Sequence, residues 1–174
     1  MSAARSHSPR GRRQRRGIAL PVVLVMASMM LVTSSAWFEA ALLEARNASF
    51  IADTLQAFHA ADAALLLCTR ALANGSMIAP AAPVLTGEPA GWRQQAGFDA
   101  RAIAVTGAWP GSVRPPQCFV EAWRIGSRPA ARAFVLTARG FGASEETQSW
   151  LQVQLVLDGT HIERHWRRIA ARPF

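Results

Sequence analysis

The sequence contains no ionisable side chain between Arg16 and Glu39. The 22 residues from 17 to 38 are apolar or small, and a helix needs about 20 such residues to cross a bilayer. Proline is absent between Pro21 and Pro80, so no residue in that interval is expected to break a helix that continues beyond the apolar run. These absences exclude a water-exposed segment at 18–38 and predict one that is inserted in a membrane.

Motifs for catalysis and cofactor binding are also missing. The sequence has no nucleophile elbow, P-loop, dinucleotide-binding loop or zinc-knuckle spacing. His161 and His165 share an i, i+4 spacing without a third ligand nearby, and His59 is interpreted as a packing or surface residue. We therefore expect a protein that is not an enzyme, without a catalytic site, a cofactor or a bound metal.

Positive charge is concentrated at one end of the chain. Of the net charge of +8, six arginines lie before Gly17, which leaves thirteen arginines against eleven acidic residues in the rest. Positive residues beside a membrane span stay on the cytoplasmic side, and after Phe38 only Arg46 is basic for some thirty residues. This distribution predicts a cytoplasmic amino terminus and a domain across the membrane, and it assigns the basicity mainly to the leader, which argues against nucleic acid as a partner.

The apolar pattern continues past the uncharged segment. Larger apolar side chains recur in steps of about seven residues, at Leu43, Phe50, Ile51, Phe58, Leu65 and Leu72. Arg46, Asp53, Gln56 and Arg70 fall on the other side, and Asn74-Gly75 supplies residue types that end helices. We predict one helix over 18–73, transmembrane over 18–38 and amphipathic over 39–73.

The remaining sequence divides into a Gly/Pro-rich stretch and a β-rich one. Residues 74–116 are interpreted as a loop from helix to sheet, partly ordered around Trp92 and Trp109, with a short strand over 102–106. Strands are then predicted over 118–125, 133–139 and 147–157, so that 117–174 forms an antiparallel sheet and a tail.

The predicted fold class is α+β, with the long N-terminal helix packed on a small antiparallel sheet. Leu151, Val153, Leu155 and Leu157 alternate with Gln152 and Gln154, as in a sheet with one buried face. We expect that face to pack on the stripe formed by Phe50, Phe58 and Leu65.

The two cysteines lie one in the predicted helix and one at the start of the sheet. A bond between Cys68 and Cys118 would fasten the sheet to the helix, and it predicts maturation in an oxidising compartment. Two buried free thiols are the alternative.

The segment from His161 to Arg172 is basic and surrounds Trp166. An edge strand or a short helix in solvent is the favoured interpretation. Contact with nucleic acid through phosphate charge and aromatic stacking is the other.

Three features together resemble a known family. A basic leader over 1–17 that ends in glycine, an apolar half-helix and an amphipathic half-helix that carries a domain are similar to a type IV prepilin. The stretch QAFHAADAAL at 56–65 resembles a signature of the PilX family of minor pilins, and AFVLTARGFG at 133–142, followed by Gln152, resembles a strand of that family. Roughly residues 15–73 and 117–157 take part in the resemblance.

The resemblance implies a function and a set of partners. Prepilin peptidase would cleave between Gly17 and Ile18, and Ile18 would be N-methylated. The mature chain would leave the inner membrane to join other minor pilins, the major pilin and a tip adhesin through the pilus assembly machinery. There it would help start or cap a type IV pilus that serves twitching motility, adhesion or DNA uptake.

One departure from the family pattern concerns the fifth mature residue. Most such pilins carry a glutamate there that is taken to pair with a neighbour's amino terminus, whereas this chain has Val22. The nearest acid is Glu39, about 25 Å farther along a helix. This absence predicts a low-copy subunit at the pilus tip.

Three alternatives stay open. A minor pseudopilin of type II secretion shares the same architecture. A secretory signal peptide cleaved after Ser34-Ser35-Ala36 would release a periplasmic binding domain that starts at Trp37. An uncleaved membrane anchor explains the hydrophobicity alone.

Overall fold

Helix α1 runs from Ala19 to Ala73 in a computed structural model, which describes residues 19–81 and 87–174. The predicted helix is thus confirmed over its described part. Pro21 lies in the first turn, where its missing N–H has no intrahelical partner to lose. The helix ends at Ala73, and Gly75 closes its end: the φ of Gly75 is 74°, a value that glycine adopts readily, and its N–H donates a hydrogen bond to the Leu72 carbonyl.

The other elements form a small helix and a five-stranded antiparallel sheet. A 3₁₀ turn at Gly91–Arg93 precedes α2 at Gln95–Arg101. The strands are β1 at Ile103–Ala104, β2 at Gln117–Trp123, β3 at Arg132–Phe141, β4 at Gln148–Asp158 and β5 at His161–Ile169. They lie in the sheet in chain order, each antiparallel to the next. The predicted fold class, a long helix packed on a small antiparallel sheet, is confirmed.

The contact pattern divides the chain after Ala48. The described part before that point is helix alone, with every side chain exposed. The unit from Ser49 to Phe174 contains the rest of α1 and the sheet.

The register of the strands sets a row of apolar residues against the second half of α1. Leu136 pairs with Val120 on one side and with Val153 on the other. Around this row a core forms between the helix and the sheet, and it includes Leu65, Cys68 and Leu72 of α1. The face that the alternation of Leu151, Val153, Leu155 and Leu157 predicts is therefore the face that packs on the helix.

The predicted helix stripe is only partly correct. Leu65 is buried and Phe58 is half-buried against the core, but Phe50 is 69% exposed. Four alanines, Ala57, Ala60, Ala61 and Ala64, are instead completely buried. The residues in closest contact with the sheet are small because the helix and the sheet approach each other too closely there for larger side chains.

The expectation of a single buried sheet face is wrong. The opposite face is covered by Trp92 and Phe98, which pack on Phe119 and Trp150. Gln152, which alternation places on a solvated face, is 0% exposed and donates a hydrogen bond to the Thr137 hydroxyl at 2.7 Å. The sheet is thus a middle layer between α1 and the segment that contains α2.

That segment lies in the stretch predicted as a loop. Its short strand is confirmed as β1 and Trp92 is buried, but α2 was not predicted. Glu121 of β2 fastens the segment, because its carboxylate accepts hydrogen bonds from the backbone N–H groups of Gly91 and Trp92, at 3.0 and 3.1 Å. Burial raises the pKa of Glu121, and the two N–H donors oppose that rise.

Cys68 and Cys118 form a disulfide that joins α1 to β2, with their Cα atoms 6.4 Å apart. Both residues belong to the core between helix and sheet. The bond closes a loop with a sequence separation of 50 residues, and such a loop is worth about 4 kcal/mol of chain entropy in the unfolded state.

We predict that Cys68→Ser or Cys118→Ser lowers the free energy of unfolding by up to about 4 kcal/mol, because either change opens the same loop. Urea unfolding of the full chain in detergent measures the effect. The double variant is the control and should lose no more than the single variants. Mass spectrometry that finds two free thiols in unreduced wild-type protein would contradict the pairing.

Candidate functional site

The first half of α1 is a surface of apolar side chains without charge. Between Ala19 and Phe38 every residue is exposed, including Leu24 at 61% and Met30 at 70%. A buried core helix would show the opposite pattern, since its apolar face would be covered. By length and composition this helix is able to cross a membrane, and its position near the N-terminus also fits a signal sequence.

The polar side chains of this segment are satisfied within the helix. The hydroxyls of Ser28, Thr33, Ser34 and Ser35 each donate to a backbone carbonyl three or four residues earlier, at 2.7–3.0 Å. In a lipid environment an unpaired hydroxyl is costly, and this back-bonding removes the need for water. The segment therefore meets the requirement of a bilayer despite four polar residues.

The residues predicted for processing, Gly17 and Ile18, lie outside the described residues. Val22, the residue in the place of the expected glutamate, lies in the first turns of α1 and is exposed. Glu39 is exposed on the same helix. Among the described residues, the uncharged surface is thus continuous from the start of α1 to Glu39.

Helix α1 and the sheet approach each other closely at Gly140 of β3. A Cβ atom placed on Gly140 would lie 2.2 Å from the carbonyl oxygen of Ala57 and 2.3 Å from the backbone nitrogen of Ala61. No side chain fits in that space, because the atoms it would meet belong to the helix backbone. Gly140 is therefore required by the close approach of two backbones.

Gly142 and Asp53 extend the same contact by one turn. A Cβ atom on Gly142 would lie 2.2 Å from Oδ1 of Asp53, and the backbone N–H of Ala143 donates a hydrogen bond to that oxygen. Gln56 donates to the carbonyl of Pro110. The sequence places Asp53 and Gln56 on the polar side of the helix, and the structure uses both to hold loops of the domain.

We call these residues the seam: Asp53, Gln56, Ala57, Ala60 and Ala61 of α1 with Gly140 of β3 and Gly142, which directly follows that strand. The seam brings together the stretches 56–65 and 133–142, which are separated in sequence. Alanine on the helix and glycine on the strand have one physical cause, the short distance between the two backbones.

Opposite the seam, Arg139 is held in an aromatic setting on the far face of β3. Its guanidinium lies 4.9 Å from the Phe98 ring and 5.3 Å from the Trp150 ring, forms an ion pair with Asp99 at 2.7 Å and donates to Gln117. Burial lowers the pKa of Arg139, and Asp99 opposes this. This arrangement fastens α2 to the sheet. The sequence signal for it was the arginine within 133–142, but two of its partners, Phe98 and Asp99, lie in the stretch interpreted as a loop.

The three histidines of the described residues lie on two different elements. His59 is exposed on α1 with its ring 5.8 Å from Phe58, and His161 and His165 are exposed on β5. Across residues 19–81 and 87–174 no three metal-ligating side chains of His, Cys, Asp or Glu are grouped. The basic segment from His161 forms edge strand β5, in agreement with the favoured interpretation.

Comparisons of the chain with family models, with curated proteins and with solved structures give no match. We therefore infer the function from the chain's own residues and from the geometry of the seam and of α1.

We predict that Gly140→Ala lowers the free energy of unfolding by about 2 kcal/mol or more, because the added methyl group overlaps helix backbone that cannot yield. Thermal unfolding of the full chain in detergent measures the change.

Gly107→Ala is the matched control. No atom lies within 4 Å of a Cβ placed on Gly107, so this change should leave stability unaltered or slightly raised. Equal stability of the two variants would contradict the account of the seam.

Proposed function

We propose that this chain is a minor type IV pilin of the PilX type, made as a prepilin and without enzymatic activity. The observation that carries the proposal is the seam. A likeness confined to two short stretches gains weight when those stretches contact each other and when one close approach accounts for the small residues in both.

The form of α1 supports the same proposal. A pilin subunit needs a helix whose first half is soluble in lipid and later packs against the helices of other subunits, while its second half carries a folded domain. The uncharged, exposed surface from Ala19 to Phe38 meets the first need, and the alanines of the seam meet the second.

Under this proposal the chain crosses the inner membrane once. The arginines before Gly17 hold the amino terminus in the cytoplasm, and the sheet lies in the periplasm, where Cys68 and Cys118 can be oxidised. Prepilin peptidase then cuts after Gly17, Ile18 is methylated, and the subunit passes from the bilayer to the assembly machinery.

We predict that Gly17→Val blocks this cleavage, since a peptidase that acts at the membrane boundary must fit the residue before the cut without a bulky side chain. The variant should accumulate at full length in the inner membrane, as measured by immunoblot and intact mass. Gly11→Val, in the same arginine-rich segment, is the control and should mature normally. Normal maturation of Gly17→Val would refute the prepilin assignment.

The residue at position 22 further limits where the subunit belongs. A subunit with Val22 cannot neutralise the amine of a neighbour, and at the tip of a pilus no subunit above presents an amine. The chain is therefore a low-copy component at or near the tip that does not form filaments alone. Its partners are other minor pilins, the major pilin and a tip adhesin.

Immunogold labelling of sheared pili tests this placement. We predict gold particles at pilus ends, with an antibody against the major pilin labelling the shaft of the same fibres. Dense labelling of the whole shaft by the antibody against this chain would contradict tip placement and leave the pilin assignment intact.

A further inference from the structure

Strand β5 forms one edge of the sheet. Among the described residues the outer side of this nine-residue strand pairs with no other strand, so alternate residues offer their backbone N–H and C=O groups there. Such an edge is a template for pairing with another polypeptide unless something blocks it. The side chains of β5 determine which polypeptide it accepts.

A groove of about 530 Å³ lies between β5 and the second half of α1. Buried Leu65 and Val153 contribute to its floor, and Trp166, 53% exposed, and Leu66, 58% exposed, contribute to its walls. An aliphatic side chain that enters beside Trp166 would cover apolar surface now in contact with water.

Two arginines, Arg70 and Arg164, line the groove, and Arg168 lies beyond Trp166 on the same strand with its guanidinium 6.0 Å from the centre of the Phe58 ring. Arg164, Trp166 and Arg168 alternate on the helix-facing side of β5, opposite Leu155, Val153 and Leu151 of β4. Within the described part of the chain, the ion pairs include neither of these two arginines nor Arg70 on the helix side of the groove. Asp62 is the acidic residue among those that line it.

This charge pattern makes a second copy of the chain a poor occupant. Two β5 strands paired antiparallel about Trp166 would place Arg164 of each opposite Arg168 of the other, and like charges directly opposite are destabilising. An acidic strand would instead place its carboxylates opposite Arg164 and Arg168. The arginines therefore disfavour pairing between two copies of β5 and favour pairing with an acidic strand.

One feature favours a polypeptide over a nucleic acid. The floor of the groove, which includes Leu65 and Val153, is aliphatic, and it suits a branched side chain better than a phosphate chain.

We propose that β5 and its groove bind an extended segment of a different protein, which adds to the sheet as a further strand. The segment carries an acidic, an apolar and a second acidic residue at alternate positions. Its acids lie opposite Arg164 and Arg168, its apolar side chain lies against Trp166, and its backbone pairs with the free edge of β5. This surface is independent of the function proposed above.

A synthetic peptide tests the proposal. The probe, Ser-Thr-Asp-Thr-Leu-Thr-Glu-Thr-Ser with blocked ends, has the nine-residue length of β5 and carries a fluorophore for anisotropy with the full chain in detergent micelles. Two comparison peptides separate the contributions. The first, Ser-Asp-Glu-Thr-Thr-Leu-Thr-Thr-Ser, keeps the composition but places the two acids on opposite faces of the strand. The second is the probe N-methylated at Leu and at the next Thr, so that whichever side of the strand faces β5 loses a backbone N–H donor.

We expect saturable binding of the probe and roughly tenfold weaker binding of both comparison peptides, since cross-strand pairs contribute up to about 1 kcal/mol each. Arg164→Glu combined with Arg168→Glu should weaken the probe by at least that factor, and Trp166→Ala should weaken it too. Arg124→Glu, at an exposed arginine away from the groove, is the matched control and should bind like wild type. Each variant is first shown to keep the wild-type unfolding midpoint.

Several results would overturn the proposal. They are equal affinity for the three peptides, unchanged binding by the double variant, displacement of the probe by a more tightly bound oligothymidylate, or self-association through β5 that the double variant abolishes. None of these bears on cleavage after Gly17, so failure here is distinguishable from failure of the pilin assignment.

Discussion

The contact of Gly140 with the backbone of α1 is the constraint on which the rest of the folded domain depends. A strand backbone and a helix backbone meet there without an intervening side chain, which sets the local separation of the two layers. The alanines at 57, 60, 61 and 64 are compatible with that separation, and Cys68, farther along the helix, comes within bonding reach of Cys118 on β2. Larger apolar residues, such as Leu65 and Leu136, fill the space where the layers diverge.

A second layer covers the far face of the sheet, and the polar residues on that face are therefore buried. Gln152 donates to Thr137 and accepts from Arg167 at 2.5 Å, so a cross-strand chain of hydrogen bonds satisfies the buried amide. Glu88 pairs with Arg167, and Glu121 and Arg139 hold the segment around α2. Charged groups thus add to the aromatic packing that holds the outer layer. Helix α1 is held by the apolar core, by the disulfide and by the hydrogen bonds of Asp53 and Gln56.

Features that depend on neighbouring residues were predicted from the sequence, whereas most features that depend on contacts between distant segments were not. Helix α1, the strands and the Cys68–Cys118 pairing were predictable because periodicity and turn residues are local, and because the two cysteines lie on elements that had to pack. The exposure of Phe50 was not predictable from periodicity, because the burial of a residue on the apolar side of α1 depends on how far the sheet extends along the helix. Helix α2 was missed because seven residues among glycines and prolines carry little periodicity. Without a second layer on the far face of the sheet, the burial of Gln152 could not be predicted either. In the sequence the seam appears only as two short motifs, and the contact between them is seen only in the folded structure.

The function proposed here requires that the apolar half of α1 be both a membrane segment and the start of a mature subunit. The mass of the amino-terminal peptide of the mature wild-type protein, purified from membranes, tests that requirement most directly. The account predicts a chain that begins at Ile18 with one added methyl group. A chain that begins at Trp37, or one that retains the residues before Gly17, would contradict it.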